Sequence, residues 1–225
     1  MISPQRILHS DDHLLAVEKL CGELVVAGAE RLKSGHKALQ SPLPLLDFLL
    51  KDIPGLRALH RLDFETSGVV LFARTKKAYE AVRASKFANW KKIYRTLVVG
   101  RLPHRAGTIS LLLPSRGEGD VPAHTIYRVL EEFANSSYVE SEILTGRHHQ
   151  IRKHFAAIHH PLILDSEYGN KAINHVFSQE FHCHRFFLHA ARLELPHPVT
   201  GAKLTIESPL PRVFESVLKK LRSVR

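Results

Sequence analysis

The run His60-Arg61-Leu62-Asp63-Phe64-Glu65-Thr66-Ser67-Gly68 sets an arginine two residues ahead of an aspartate and closes on Thr-Ser-Gly. In an extended segment side chains alternate between faces, so Arg61 and Asp63 project to one side while Leu59 and Leu62 seat the strand end. Gly68 then opens an apolar run, Val69-Val70-Leu71-Phe72-Ala73, that reads as a buried strand. A carboxylate on a loop between two strands is well placed to act on a ligand. It could attack as a nucleophile, stabilise positive charge or remove a proton; the bare Asp-x-x-Thr pattern equally suits the capping of a turn. A second cluster of chemically able groups is Arg147-His148-His149-Gln150-Ile151-Arg152-Lys153. On a helix beginning near His148, Arg152 shares a face with His148 and His149 and turns away from Ile151 and Phe155. Zinc-binding residue types also gather at His148, His149, His154, His159, His160, His182, Cys183, His184 and His189. They lack a His-Glu-x-x-His or a paired Cys-x-x-Cys, so no metal site is expected.

The elements that must position these groups are mostly strands. Residues 6–27 read as a hairpin with the turn Ser10-Asp11-Asp12-His13, followed by another short strand. Residues 28–42 carry no period and read as a loop. Pro44 to Lys51 has helical spacing, and Pro54-Gly55 stops it before the strand that carries Asp63. After a strand at 68–74, Thr75 is an N-cap for a helix running to about Asn89. Strands are expected at 92–100, 107–113, 124–132 and 137–144, with the glycine-containing turn 115–120 between the second and third. A helix follows at 148–159, then strands at 186–195 and 203–207 and a helix from Val213 to Leu221. Many strands with few, unevenly placed helices predict an α+β fold on a largely antiparallel mixed β-sheet with flanking helices. The 225 residues are expected to form one domain, 1–225, with no separate appended domain.

Composition narrows the partners. The formal net charge is +10, with 16 histidines in addition, which favours a polyanion whose phosphates release counterions on contact with Lys and Arg. No apolar run approaches the roughly 20 residues that span a bilayer, and Met1 to Arg6 lacks the pattern of a signal peptide. A cytoplasmic protein is expected, with Cys21 and Cys183 as reduced thiols rather than a disulfide framework.

The nonapeptide at 60–68 resembles the central motif of the RluA-type pseudouridine synthases, in which His-Arg-Leu-Asp precedes a Thr-Ser-Gly turn. The resemblance runs along roughly 200 residues. Arg6 to Lys19 resembles the opening hairpin of that family, and Lys92-Ile93-Tyr94-Arg95 its Lys-x-Tyr motif. Ala123 to Leu130 resembles the middle strand, Thr145 to Arg152 the Gly-Arg-x-His-Gln-x-Arg segment, and Leu188-His189-Ala190 through His197-Pro198 the last core strand and turn. Two positions depart from the pattern: Lys19-Leu20-Cys21-Gly22 stands where Lys-Pro-x-Gly is usual, and His148 where Thr or Ser is common.

The resemblance implies an RNA pseudouridine synthase acting on structured RNA. Transfer RNA is the favoured substrate, as for the compact members of the family without an S4-like domain, and ribosomal RNA is next. It implies Asp63 as the catalytic residue, Arg152 as its ion-pairing support, Tyr94 stacking on the target base and Leu188 closing the site. Arg61 is associated with displacing the target base, which must leave its stack. Arg147, His149, Lys92 and Lys153 are RNA-binding candidates, as are Lys91 and Arg95. The isomerisation needs no cofactor, and neither an obligate protein partner nor an oligomer is expected. The rival reading is a non-catalytic RNA-binding or RNA-folding module on the same fold, for which a carboxylate at position 63 would be a liability beside RNA phosphates.

Overall fold

Asp11 turns the chain at its first hairpin. Its carboxylate accepts the backbone N–H groups of His13 and Leu14 at 2.7 and 2.8 Å, so β1 (Ile7–Ser10) folds back onto β2 (Leu14–Lys19). The computed structural model describes residues 2–27, 43–114 and 119–223. The loop expected at 28–42 and most of the turn expected at 115–120 lie outside the described residues. The chain forms two compact units: Met1–Trp90 with Leu193–Ser208, and Lys91–Arg192 with Pro209–Arg225. It is an α+β fold with a mostly antiparallel sheet.

In the first unit β2 pairs antiparallel with β4 (Ser67–Ala73), from Leu14 opposite Ala73 to Lys19 opposite Gly68. β4 is buried along all seven residues, as its apolar composition requires. The two-residue strand β3 (Arg57–Ala58) pairs with its far end, Arg57 opposite Ala73. Helix α1 spans Leu45–Leu50 and α2 spans Lys76–Ala84. Leu14, Ala16, Val69, Leu71, Ala78, Val82, Leu193, Leu195 and Ile206 form the core of this unit. Strand β10 (Lys203–Glu207) pairs with β9 (Leu188–Pro196).

Three local expectations are corrected here. Residues 20–27 form turns, not a strand, because Gly22 takes φ +86° and spends its N–H on Phe64 O at 2.9 Å. Helix α2 begins where Thr75 caps it, its hydroxyl accepting from Ala78 N–H at 3.2 Å, but stops at Ala84. The following Lys86, Phe87 and Asn89 hold positive φ, a left-handed backbone that ends an α-helix. The strand expected to carry Asp63 ends at Ala58, and residues 59–66 are loop.

The second unit contains β5 (Lys91–Val99), β6 (Ala106–Pro114), β7 (Asp120–Glu132) and β8 (Ser136–Ile143), in the order β5-β8-β7-β6 with antiparallel neighbours. Helices α3 (Gln150–Ala157), α4 (Lys171–Phe181) and α5 (Arg212–Ser223) belong to it. Leu97, Phe133, Ile163, Phe177, Phe187, Phe214 and Val217 supply its core. Helix α4 falls where no element was expected; the side chain of Asn170 caps it by accepting from Ile173 N–H at 3.1 Å. Among the described residues no helix is long and apolar enough to cross a membrane.

Candidate active site

The loop bearing Asp63 is held from below by a buried ammonium. Lys19, at the end of β2, is 0% exposed. Its Nζ donates to Leu20 O at 3.1 Å, Phe64 O at 2.9 Å and Thr66 O at 2.6 Å. Those three acceptors match the three N–H groups of an ammonium. Gly22 N–H adds a second bond to Phe64 O, and Thr66 N–H closes the turn onto Asp63 O at 3.1 Å. Desolvation brings the Lys19 pKa down to about 8, with Cys21, Glu23 and Asp63 opposing the fall through their negative charge. The Asp63 carboxylate therefore favours the charged form of the Lys19 amine.

The other side of the loop is stitched to β4. Leu59 N–H reaches Leu71 O at 3.0 Å, and Leu71 N–H donates to His60 Nε2 at 3.1 Å. The proton of a neutral His60 must then lie on Nδ1. His60 also meets the edge of Trp90, ring centroids 5.8 Å apart. Leu59, Leu62 and Thr66 are buried, Asp63 is half-buried, and Arg61 and Phe64 are exposed. The loop thus offers a carboxylate on a fixed backbone, flanked by an exposed cation and an exposed ring.

The second unit contains the remaining expected residues: Lys92, Tyr94, Arg147, His149, Arg152, Lys153 and Leu188. Tyr94 is a buried residue of β5 opposite Ser141, and Leu188 is buried at the start of β9. Burial pushes the Lys92 amine below its ordinary range. Its Nζ is 3.8 Å from where a Cβ on Gly146 would stand, beside the loop that leads to Arg147.

Gln150 organises that loop. Its Oε1 accepts from Thr145 Oγ1 at 2.6 Å and from Arg147 N–H at 3.1 Å. Its Nε2 donates to His124 O at 2.9 Å and Thr125 Oγ1 at 3.2 Å on β7. Helix α3 begins at Gln150, two residues later than the sequence suggests, because His149 is left-handed with φ 54° and ψ 30°. This changes the surroundings of Arg152. Instead of facing away from the buried side, Arg152 is 4% exposed. It donates from Nε to Asp165 Oδ2 at 2.7 Å and from Nη2 to Asp165 Oδ1 at 2.8 Å. The guanidinium carbon stands 4.9 Å from the ring centres of both Tyr168 and Phe186. Asp165 Oδ1 also accepts from Glu167 and Tyr168 N–H, each at 3.0 Å. Burial would raise the Asp165 pKa, but the hydrogen bonds from Arg152 and these two amides outweigh it and hold the carboxyl below its ordinary value.

His149 stacks on His148 with centroids 3.7 Å apart, and its Nδ1 is 3.2 Å from the Tyr168 hydroxyl and 3.3 Å from Glu167 Oε2. Sequence reasoning missed Asp165 and Tyr168. Their readable signal is Asp165-x-x-Tyr168-Gly169: a Cβ at position 169 would come within 2.2 Å of Asp165 O, so only glycine fits. His154, among the histidines weighed for zinc, is fully buried, and desolvation lowers its pKa to about 4. Among the described residues no group of three or more His, Cys, Asp or Glu side chains is arranged to hold a metal ion.

Comparison with known proteins bears on both units. The model of a family described as RNA pseudouridylate synthase matches residues 13–157. The chain is 31% identical over 225 residues to a ribosomal large subunit pseudouridine synthase C of Vibrio cholerae, covering 96% of this chain and 69% of the relative. It is 33% identical over 234 residues to a ribosomal large subunit pseudouridine synthase D of Nitrosomonas europaea, covering 98% and 66%. A solved structure titled human RNA pseudouridylate synthase domain containing 4 matches with a TM-score of 0.77 and 25% identity, covering 96% of this chain and 92% of that one.

Proposed function

The chain belongs to the RNA pseudouridylate synthase family and is an RNA pseudouridine synthase, an isomerase; from that premise we propose that it converts a specific uridine of structured RNA, with Asp63 as the catalytic carboxylate. The reaction breaks the N1–C1′ bond, joins C1′ to C5 and in net terms moves the C5 proton to N1. Atoms and electrons balance within the substrate, so no cofactor is needed. The observation that carries the assignment is the Asp63 loop. A buried ammonium fixes the backbone on which the carboxylate stands, and fixed geometry is what a group acting at C1′ requires.

Around this carboxylate we assign supporting roles. Arg152 supports catalysis by Asp63, Tyr94 stacks on the base and Leu188 closes the site. Arg61 helps displace the target nucleotide, and Arg147, His149, Lys92 and Lys153 contact RNA. Within its own unit Arg152 is held by two carboxylates, Asp165 on Nε and Nη2 and Glu167 on Nη2 at 3.4 Å. The names of the relatives, both ribosomal large subunit synthases, move ribosomal RNA ahead of transfer RNA as the substrate. We further propose that residues 1–225 act as one catalytic domain, as a monomer in the cytoplasm. Mapping pseudouridine across cellular RNA with and without this protein tests the function: one or a few sites should vanish and return with the wild-type chain but not with Asp63→Asn. No change at any site would refute it.

A further inference from the structure

Phe64 is an expensive residue to leave where it is. It is 51% exposed and lies one position after Asp63, on the turn closed by Thr66 N–H and Asp63 O. Among the described residues it is not part of the core of its unit, and the exposed part of an aromatic ring contributes little to folding. Its backbone is nonetheless among the most firmly held in that loop. Phe64 O accepts from Lys19 Nζ and Gly22 N–H, both at 2.9 Å, and Lys19 also grips Thr66 O two residues on. The turn is anchored while about half of Phe64 stays open to solvent.

A presented aromatic surface on a rigid backbone is suited to one kind of ligand in an RNA enzyme, an unstacked base. Every base has a π-face, and stacking on an aromatic side chain is favourable without regard to sequence. Phe has two χ angles, so little entropy is lost when the ring is covered. The same loop exposes Arg61 on the other side of Asp63, which supplies the charge for phosphate and leaves the ring to the base. We infer that Phe64 is a substrate-binding residue on which a base of the single-stranded RNA flanking the target uridine stacks. The inference rests on RNA being the substrate, but it concerns recognition and not the chemistry at Asp63.

The test uses the full chain and two probes of equal phosphate number, the oligomer rU12 and an abasic 12-mer. The wild type should bind rU12 at least about 5-fold more tightly than the abasic strand, since one stacked base contributes about 5- to 150-fold and Tyr94 adds its own. Phe64→Ala and Phe64→Leu should lower that ratio by about 5- to 150-fold, leaving the share due to Tyr94, while Phe64→Tyr and Phe64→Trp keep it. The dependence on salt should be unchanged in all four, because no phosphate contact is removed. Either a Phe64→Ala chain with the wild-type ratio, or a wild type that does not discriminate the two strands, overturns the inference. So does a wild-type dimer in sedimentation that Phe64→Ala dissociates, which would assign the ring to a protein contact. If Phe64→Ala lowers the ratio but the wild type isomerises no cellular RNA, the functional proposal fails and the stacking role stands.

Discussion

Arg152 and Asp165 are joined by two hydrogen bonds, 2.7 Å from Nε and 2.8 Å from Nη2, with both side chains buried. A pair of this kind offers less net stability than its distances suggest, because both ions leave water to form it. Its value lies in geometry. The planar fork fixes the guanidinium in one plane between Tyr168 and Phe186, and that plane determines where the Nη1 donors point.

Asp165→Asn should therefore act on rate as well as on stability. Removing one charge of a buried pair costs about 3–5 kcal/mol, somewhat less here because Asn retains one acceptor oxygen. Thermal unfolding should show a lower Tm. At temperatures where the variant is folded, single-turnover pseudouridine formation should fall at least tenfold with little change in RNA affinity. An unchanged rate in a folded variant would leave Asp165 a structural residue only.

Asp63→Asn should bind RNA within about an order of magnitude of wild type and form no pseudouridine, since the amide keeps the shape and loses the charge needed at C1′. Filter binding and single-turnover assays on the same preparation check both halves. Turnover by the purified variant would remove Asp63 from the chemistry.

Lys19 gives opposite pH signatures for stability and for rate. Its pKa in the fold, about 8, lies below the ordinary 10.5. Between those values the unfolded chain binds more protons, so this group makes folding more favourable as pH rises from about 8 to 10.5 and less favourable as pH falls through 8. Activity should do the reverse. Loss of the ammonium removes one donor from the loop of Asp63, so the single-turnover rate should decline above about pH 8. Lys19→Met should flatten that limb of the profile. Denaturant unfolding at pH 7 and pH 9 provides the stability arm.

Arg61→Ala separates base displacement from phosphate anchoring. If the exposed guanidinium helps open the RNA, a structured substrate should lose far more single-turnover rate than an unstructured fragment of the same local sequence. A phosphate anchor would weaken binding of both alike and lower the salt slope by about one. Equal rate losses at saturating enzyme would exclude the displacement role.

Much of this was legible in the residues. The hairpin at Asp11, the Thr75 cap and the strands β4, β5, β6 and β8 follow from turn chemistry and apolar runs, which act over a few residues. The misses involve longer-range determinants. Nothing local in Leu20-Cys21-Gly22 announces that Gly22 will give its N–H to Phe64, so the segment read as a strand. The helical stretch after Thr75 has good formers beyond Ala84, yet three residues there are left-handed. Arg152 read as a partner of Asp63 on a face away from Ile151 and Phe155, and its pairing with Asp165 was not legible because that acceptor is thirteen residues away beyond a helix end and a turn. The Asp63 motif was visible as a string, whereas Lys19, which holds its turn, and Asp165, which holds Arg152, become visible only when distant segments meet.

The pairing of Lys19 with Gly68 across β2 and β4 also bears on how the chain avoids misassembly. Strands alternate faces, so a slip of one residue in this ladder would turn the Lys19 ammonium to the opposite side of the sheet. Its three carbonyl acceptors would then be abandoned, and the turn carrying Asp63 would lose its anchor. On the role proposed for Asp63, a misregistered molecule is an inactive one: the lysine then ties catalytic competence to folding fidelity.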